Sequence, residues 1–179
     1  DLRYETKQVA RVTLSKKEVR NYGSTTGDGY VLRVLRRGGL ATVCFTKPEQ
    51  ADQAVRRAVE NADVLSAHQK EKKHIAPGEV VRATVKAPLL GDPRQISLQE
   101  KLALVKHYSD LLFAQPDIAN VELYYNDVYR DKYFVNTEGS EINEELVTTK
   151  LVGAIISQVG ELTQTARMAF GGSDGFQRV

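Results

Sequence analysis

Three histidines, one cysteine and a few clustered acids are the side chains in this sequence best suited to hold a metal or attack a bond. His68 and His74 are the closest pair of candidate ligands. Residues three or four apart share a helix face; the H-x5-H spacing here does not align them, and Glu71 is beside neither. They read as part of a solvated segment, His68-Gln69-Lys70-Glu71-Lys72-Lys73-His74. His107 falls in an apolar-periodic helix and reads as a partly buried, structural histidine. Cys44 sits in the strand-like run Ala41-Thr42-Val43-Cys44-Phe45, with no cation or helix start to activate the thiol, and reads as a small buried hydrophobe. A single cysteine excludes an internal disulfide and a cysteine-based zinc site, and fits a reducing cytoplasm.

Three further constellations invite chemistry and resolve to plainer readings. Glu141, Glu144 and Glu145 lie in an alternating hairpin, where a solvated face is the default. The run Gly171-Gly172-Ser173-Asp174-Gly175 is not followed by Lys-Ser/Thr, so it reads as a loop or linker and not as a phosphate cradle. Tyr124, Tyr125, Tyr129 and Tyr133, interleaved with Arg130 and Lys132, could stack single-stranded nucleic acid. Asp127 and Asp131 neutralise that patch, and no nucleic acid partner is expected. No catalytic residue, cofactor-binding residue or metal ligand is therefore assigned within the chain.

The elements that must position these groups are those of an ordinary globular chain. It has 179 residues, 41% hydrophobic and 27% charged, with a net charge of +2, too small to imply nucleic acid or an anionic membrane. No apolar run approaches the roughly 18 residues that span a bilayer. The opening Asp1-Leu2-Arg3-Tyr4-Glu5 is charged and alternating, unlike a signal peptide.

Leu2, Tyr4 and Thr6, then Val9, Ala10, Val12 and Leu14, alternate as strands, and a polar reversal at residues 15–18 leads to Val19-Arg20-Asn21-Tyr22. A loop of turn formers is expected over residues 23–29. Residues 30–35 and 40–45 then form a hairpin around Arg37-Gly38-Gly39. A helix capped by Thr46, with Glu49 three residues on, runs to about residue 67 on an apolar stripe of Ala51, Ala54, Val55, Ala58, Ala62 and Leu65. Residues 68–96, punctuated by Pro77, Pro88 and Pro93, read as a connection with a short extended piece at residues 80–85. A second helix starts at Ser97, with Glu100 completing a capping box, and ends before Pro116. Its apolar face is Leu98, Leu102, Val105, Leu111 and Leu112. Strands return at residues 121–125 and 132–135, a turn at Asn136-Thr137-Glu138-Gly139, a strand over residues 146–158 and another over 161–170.

Strands, helix, connection, helix, strands is the order of an α+β fold with antiparallel sheets, not of a βαβ nucleotide fold. The two strand blocks share a layout, so residues 1–67 and 97–176 are expected to form two related strand-plus-helix units packed as one domain, joined by the connection 68–96.

Several stretches resemble one known family. Val121-Glu122-Leu123-Tyr124-Tyr125, followed by Tyr133-Phe134-Val135-Asn136-Thr137-Glu138-Gly139-Ser140-Glu141-Ile142, resembles the "VELRY…YVNSEGTEI" stretch of TldD/PmbA proteins, described as modulators of DNA gyrase and metallopeptidases. Residues 29–35 resemble the "GVGVRVL" strand, with Arg33 at the family's arginine, and residues 48–58 resemble the "SPEALRRAVERA" helix. Ser97-Leu98-Gln99-Glu100-Lys101-Leu102 is similar to the "S-x-E-E-K-L" helix start of the TldD side. Val31 and Thr42 depart from the family by replacing glycines.

The resemblance implies the amino-terminal domain of a zinc metallopeptidase, a hydrolase acting in proteolysis. Its metal would be held by H-E-x-x-x-H in a carboxy-terminal domain, where two histidines one turn apart ligate zinc and the glutamate polarises water. That motif does not occur in this chain, which is expected to bind no stoichiometric zinc and to be inactive alone. The parent gene is expected to continue past Val179 for about another domain and to carry the motif. The domain would help form a cleft for a peptide or unfolded-protein substrate in the cytoplasm, away from any membrane. The other reading is a non-catalytic assembly module, pairing with an identical or different TldD/PmbA subunit.

Overall fold

The computed structural model describes residues 1–76 and 78–179; Pro77, expected to punctuate the connection, lies outside the described residues. The elements are β1 (Leu2–Ser15), β2 (Glu18–Arg36), β3 (Gly39–Phe45), α1 (Ala51–His68), β4 (Arg82–Val85), α2 (Leu98–Phe113), β5 (Ile118–Val135), β6 (Glu141–Val159) and β7 (Leu162–Gly172). The fold is α+β, and its long strands are antiparallel, as the order of elements implied.

Three strands are longer than their local sequence indicates. β2 runs unbroken through residues 23–29, where a loop was expected. β5 joins residues 121–125 to 132–135 in one strand, and β6 begins at Glu141 and not near residue 146. Glycine, serine and aspartate are poor strand formers, but hydrogen bonding along a neighbouring strand overrides so weak a preference.

Two compact units interleave along the chain. Unit 1 comprises Asp1–Thr6, Gly27–Lys86 and Arg130–Glu145; unit 2 comprises Lys7–Thr26, Ala87–Tyr129 and Leu146–Val179. Compactness thus divides the chain differently from the order of its elements.

In unit 1, β3 pairs antiparallel with β2 from Tyr30↔Phe45 to Arg36↔Gly39. β4 lies parallel to β6, from Arg82↔Glu141 to Val85↔Glu144. Helix α1 packs on β3 through Ala54, Ala58, Ala62 and Ser66, an i, i+4 seam of small side chains. Val55 and Leu65, expected on that stripe, are 45% and 36% exposed. The small seam lets the helix come very close. A Cβ added to Gly39 would lie 2.0 Å from the Ala62 carbonyl oxygen. The start of α1 also differs from expectation. Pro48–Gln50 form a short 3₁₀ turn, and Gln50 Oε1 accepts from the backbone N–H groups of Thr46 and Lys47, so Gln50 and not Thr46 serves the helix start. Tyr4, Tyr30 and Phe45 stack across three strands, with ring centroids 4.4 and 4.8 Å apart. Arg33 donates to the Asp1 carboxylate from Nε and Nη2, the latter at 2.8 Å. Val31 and Thr42 occupy ordinary ladder positions opposite Cys44 and Arg33. The turn before β6 has Gly139 at φ +104°, the positive φ a tight hairpin needs.

In unit 2 the strand neighbours run β2-β1-β5-β6-β7. Their apolar faces and α2 enclose a core of Val12, Leu14, Val105, Val121, Leu123, Tyr125 and Leu151. The start of α2 is as expected: Ser97 Oγ accepts from Glu100 N–H, and the Glu100 carboxylate accepts from Ser97 N–H at 2.8 Å. Leu98, Leu102 and Leu112 pack against the core, but Leu111 is 51% exposed. In its place the helix buries Lys101 and Ser109, one turn either side of Val105. β6 and β7 pair antiparallel from Thr149↔Gly172 to Val159↔Leu162. Among the described residues, no helix is long and apolar enough to cross a membrane.

Candidate functional site

The chemistry that the structure concentrates lies in unit 2, around a buried charge pair. Lys101, in the second turn of α2, is held over the sheet by the capping box that fixes the start of that helix. Its Nζ lies 2.7 Å from Asp127 Oδ2 on β5, with both side chains almost fully buried. Tyr125 Oη donates to the same oxygen at 2.6 Å. Burial, then the hydrogen bond to ionised Asp127, pushes the Tyr125 phenol up from its ordinary value.

The segment before α2 supplies a second cation. Asp92 begins a 3₁₀ turn and accepts from the Arg94 backbone N–H at 2.9 Å. The Arg94 guanidinium closes back on the Asp92 carboxylate, Nη2 at 2.6 Å. This bidentate grip holds the Asp92 carboxyl below its ordinary value of 3.8. The same geometry sets the guanidinium 3.8 Å over the Tyr129 ring.

Lys101, Asp127, Arg94 and Tyr129 wall a cavity of about 280 Å³, completed by residues 8–10 of β1, by Ser24, Thr25 and Thr26 of β2, and by Ile96, Ser97 and Leu98. Hydroxyls, two cations and one carboxylate face a space large enough for a side chain or small polar molecule. A second, more apolar cavity of about 470 Å³ lies between α2 and β7, lined by Leu111, Leu112, Met168 and Phe170 among others.

The residues singled out from sequence lie elsewhere. His68 ends α1, its Nδ1 2.9 Å from the Val64 carbonyl oxygen, and His74 is exposed. His107 is exposed and not partly buried, because the buried stripe of α2 passes through Lys101, Val105 and Ser109. Cys44 is also exposed and not buried. Gly39 and Ala41 are the buried residues of β3, and alternation puts Cys44 on the other face. Tyr125 and Tyr129 are buried, while Tyr124 and Tyr133 are 43% and 36% exposed, so the four rings form no common stacking row. Glu141 accepts from Tyr133 Oη at 2.8 Å, and Glu144 faces Lys132. Glycines 171 and 172 close β7, and Gly175 bridges to Gly91. Among the described residues, no three of His, Cys, Asp and Glu come together in a way that could hold a metal ion. The residues present therefore do not fit the zinc that the resemblance implies.

Sequence reasoning passed over Lys101 and took Asp127 only as a neutralising charge. The available signal was spacing: Ser97, Lys101, Val105 and Ser109 recur every four residues, which sets the lysine on the inward stripe.

Comparison with known proteins supplies the lineage. Residues 1–62 match PmbA/TldA metallopeptidase domain 1, and residues 91–178 match the PmbA/TldA metallopeptidase central domain. A metalloprotease of Synechocystis sp. is 28% identical over 177 residues, covering 98% of this chain and 38% of that protein. Among solved structures, a candidate modulator of a DNA gyrase from Thermotoga maritima aligns over 97% of this chain and 39% of its own, with a TM-score of 0.78 at 15% identity. TldE from Thermococcus kodakarensis aligns over 97% of this chain and 40% of its own, with a TM-score of 0.63 at 16% identity, a likeness of fold. The chain thus spans about two fifths of the length of these relatives. With both family domains matched in order along most of its length, the chain belongs to the PmbA/TldD metallopeptidase family.

Proposed function

We propose that this chain is the substrate-holding, non-catalytic part of a metallopeptidase, taking extended peptides along free edges of its sheet. The observation that carries this reading is that the unit 2 sheet ends on two long strands, the first half of β2 and all of β7. Unpaired amides and carbonyls on such an edge accept a further strand, and main-chain hydrogen bonds give affinity without demanding a sequence. β7 lacks the usual protection of an edge: its eleven residues hold one charge, Arg167, and no proline. Metal chemistry, with zinc as the metal, is supplied from outside these residues in the parent protein, and a cytoplasmic setting belongs to the same proposal. Titrating the protein against a fluorescein-labelled peptide of alternating threonine and valine tests it. Saturable binding that vanishes when the peptide amides are N-methylated is expected; no saturable binding up to millimolar protein overturns it.

A second reading, subunit pairing, is favoured by the apolar side chains of β7. Leu162 and Phe170 are 64% and 56% exposed, and Phe170 borders the apolar cavity. Sedimentation velocity decides it: Phe170→Lys should convert a dimer to monomers, and a parent protein monomeric at every concentration removes this reading.

A further inference from the structure

We propose that β7, with the apolar cavity between it and α2, is a peptide-binding site that selects a large apolar side chain. This rests on the peptide-holding reading above and adds to it one edge and a preference. Among the described residues β7 pairs with β6 alone, so its outer row of amides and carbonyls is open to a further strand.

The two faces of β7 differ. Phe170 stands opposite Leu151 and Met168 opposite Gly153, on the face that α2 covers. Thr163, Thr165, Arg167 and Ala169 alternate with them on the other face. On the α2 face the cover is incomplete. Leu151, at the floor of the cavity, is 1% exposed, but Leu111 on the helix side and Phe170 on the strand side are 51% and 56% exposed. Two large apolar side chains thus stand half in water around one hollow, and an occupant would bury both. At about 470 Å³ the hollow falls within the range of ligand sites, roughly 300–1,000 Å³, and has room for a leucine or phenylalanine side chain.

Charge argues for an apolar occupant. Arg178 is the one charged residue on the walls among the described residues, and its Nε and Nη2 both donate to the Asp174 carboxylate. The cavity therefore offers no unmatched charge. A charged side chain entering it would give up water without gaining a partner, whereas an apolar one would cover Leu111 and Phe170. On a strand added beyond β7, the residue opposite Phe170 lies on the same face, with Cβ atoms about 4.5–5.5 Å apart. Its side chain meets the cavity while its backbone pairs with β7. Free edge and hollow together fit one occupant, an extended segment carrying a large apolar residue.

Fluorescence anisotropy tests this with three labelled peptides, Thr-Thr-Thr-X-Thr-Thr-Thr, in which X is Leu, Asn or Glu. Leucine and asparagine have nearly the same shape, so their difference reads polarity. The leucine peptide should bind about tenfold tighter than the asparagine one, and the glutamate peptide no tighter than the asparagine one. Leu111→Asp should erase the preference for leucine without weakening the asparagine peptide, and Leu111→Met should keep it. Hydrogen exchange should slow along residues 162–170 when the leucine peptide binds. Equal affinity for the three peptides, or protection confined to β2, overturns this site while leaving peptide holding intact. Protection of β7 before any peptide is added, in a chain that sediments as a dimer, gives the cavity to a second copy and also overturns it. Failure of all three peptides to bind overturns the site, and failure of the alternating threonine and valine peptide as well removes peptide holding.

Discussion

Lys101 Nζ lies 2.7 Å from Asp127 Oδ2, with side chains 5% and 8% exposed, so each charge has given up most of its hydration for the other. Removing one partner of such a pair costs about 3–5 kcal/mol, whereas replacing both by apolar groups is often neutral. Lys101→Met should therefore lower stability by about 3 kcal/mol or more in urea titrations. Adding Asp127→Leu should recover most of it, short of the 1–2 kcal/mol left by the stranded Tyr125 hydroxyl. A double variant as unstable as the single one would mean that the pair is not the source.

Gly39 offers a sharper steric test. Its missing Cβ would meet the Ala62 carbonyl at 2.0 Å and the Ser66 amide nitrogen at 2.5 Å, both backbone atoms that cannot rotate away. Gly39→Ala should cost about 3 kcal/mol by forcing α1 off β3, read as a fall in the urea midpoint. Gly23→Ala, with open space around it, should stabilise the protein or leave it unchanged.

Acid dependence follows from Asp92. The hydrogen bonds from Arg94 hold its carboxyl below 3.8, so its folded-state pKa is depressed relative to the unfolded chain. The stabilisation is present above the unfolded pKa and is lost as pH falls through the folded one. Wild type and Asp92→Asn should differ in urea midpoint at pH 7 and at pH 5, and converge as pH falls below the folded-state pKa. The Asp92 side chain keeps partial solvent access, so the difference should be modest.

Lys16 and Lys17 turn β1 into β2 with φ of +51° and +65°, both in the left-handed region. Two-residue hairpins of this geometry favour Asn-Gly. Replacing the pair by Asn-Gly should raise stability by about 0.5–1 kcal/mol. Gly139→Val, at φ +104°, should lower it by about 2 kcal/mol. Thermal melts of both variants check the pair of signs.

What could be read in advance was what neighbours in sequence decide. The Ser97–Glu100 capping box and the turn at Asn136-Thr137-Glu138-Gly139 are written within four residues, and both stand in the structure. What could not be read was set by distant partners. Residues 23–29 of β2 look like a loop, because the ladder that straightens them comes from another strand. Cys44 sits in an apolar run, but α1 covers only one face of β3. The cavity walls come from residues 8–10, 24–26, 94–101 and 127–129, four stretches with no shared local pattern.

The interleaving of the compact units has a consequence for inheritance. From Asp1 the chain passes from one unit to the other five times, after residues 6, 26, 86, 129 and 145. The fragment 1–86 lacks Arg130–Glu145 of unit 1 and most of unit 2, so it contains neither whole. A single recombination crossover between two relatives would therefore never leave both units intact: one after residue 145 divides unit 2, and one after residue 6 divides unit 1. Exchanging unit 1 alone would mean replacing three separate stretches at once. A single crossover can therefore never pair one whole unit from one relative with the other whole unit from a second.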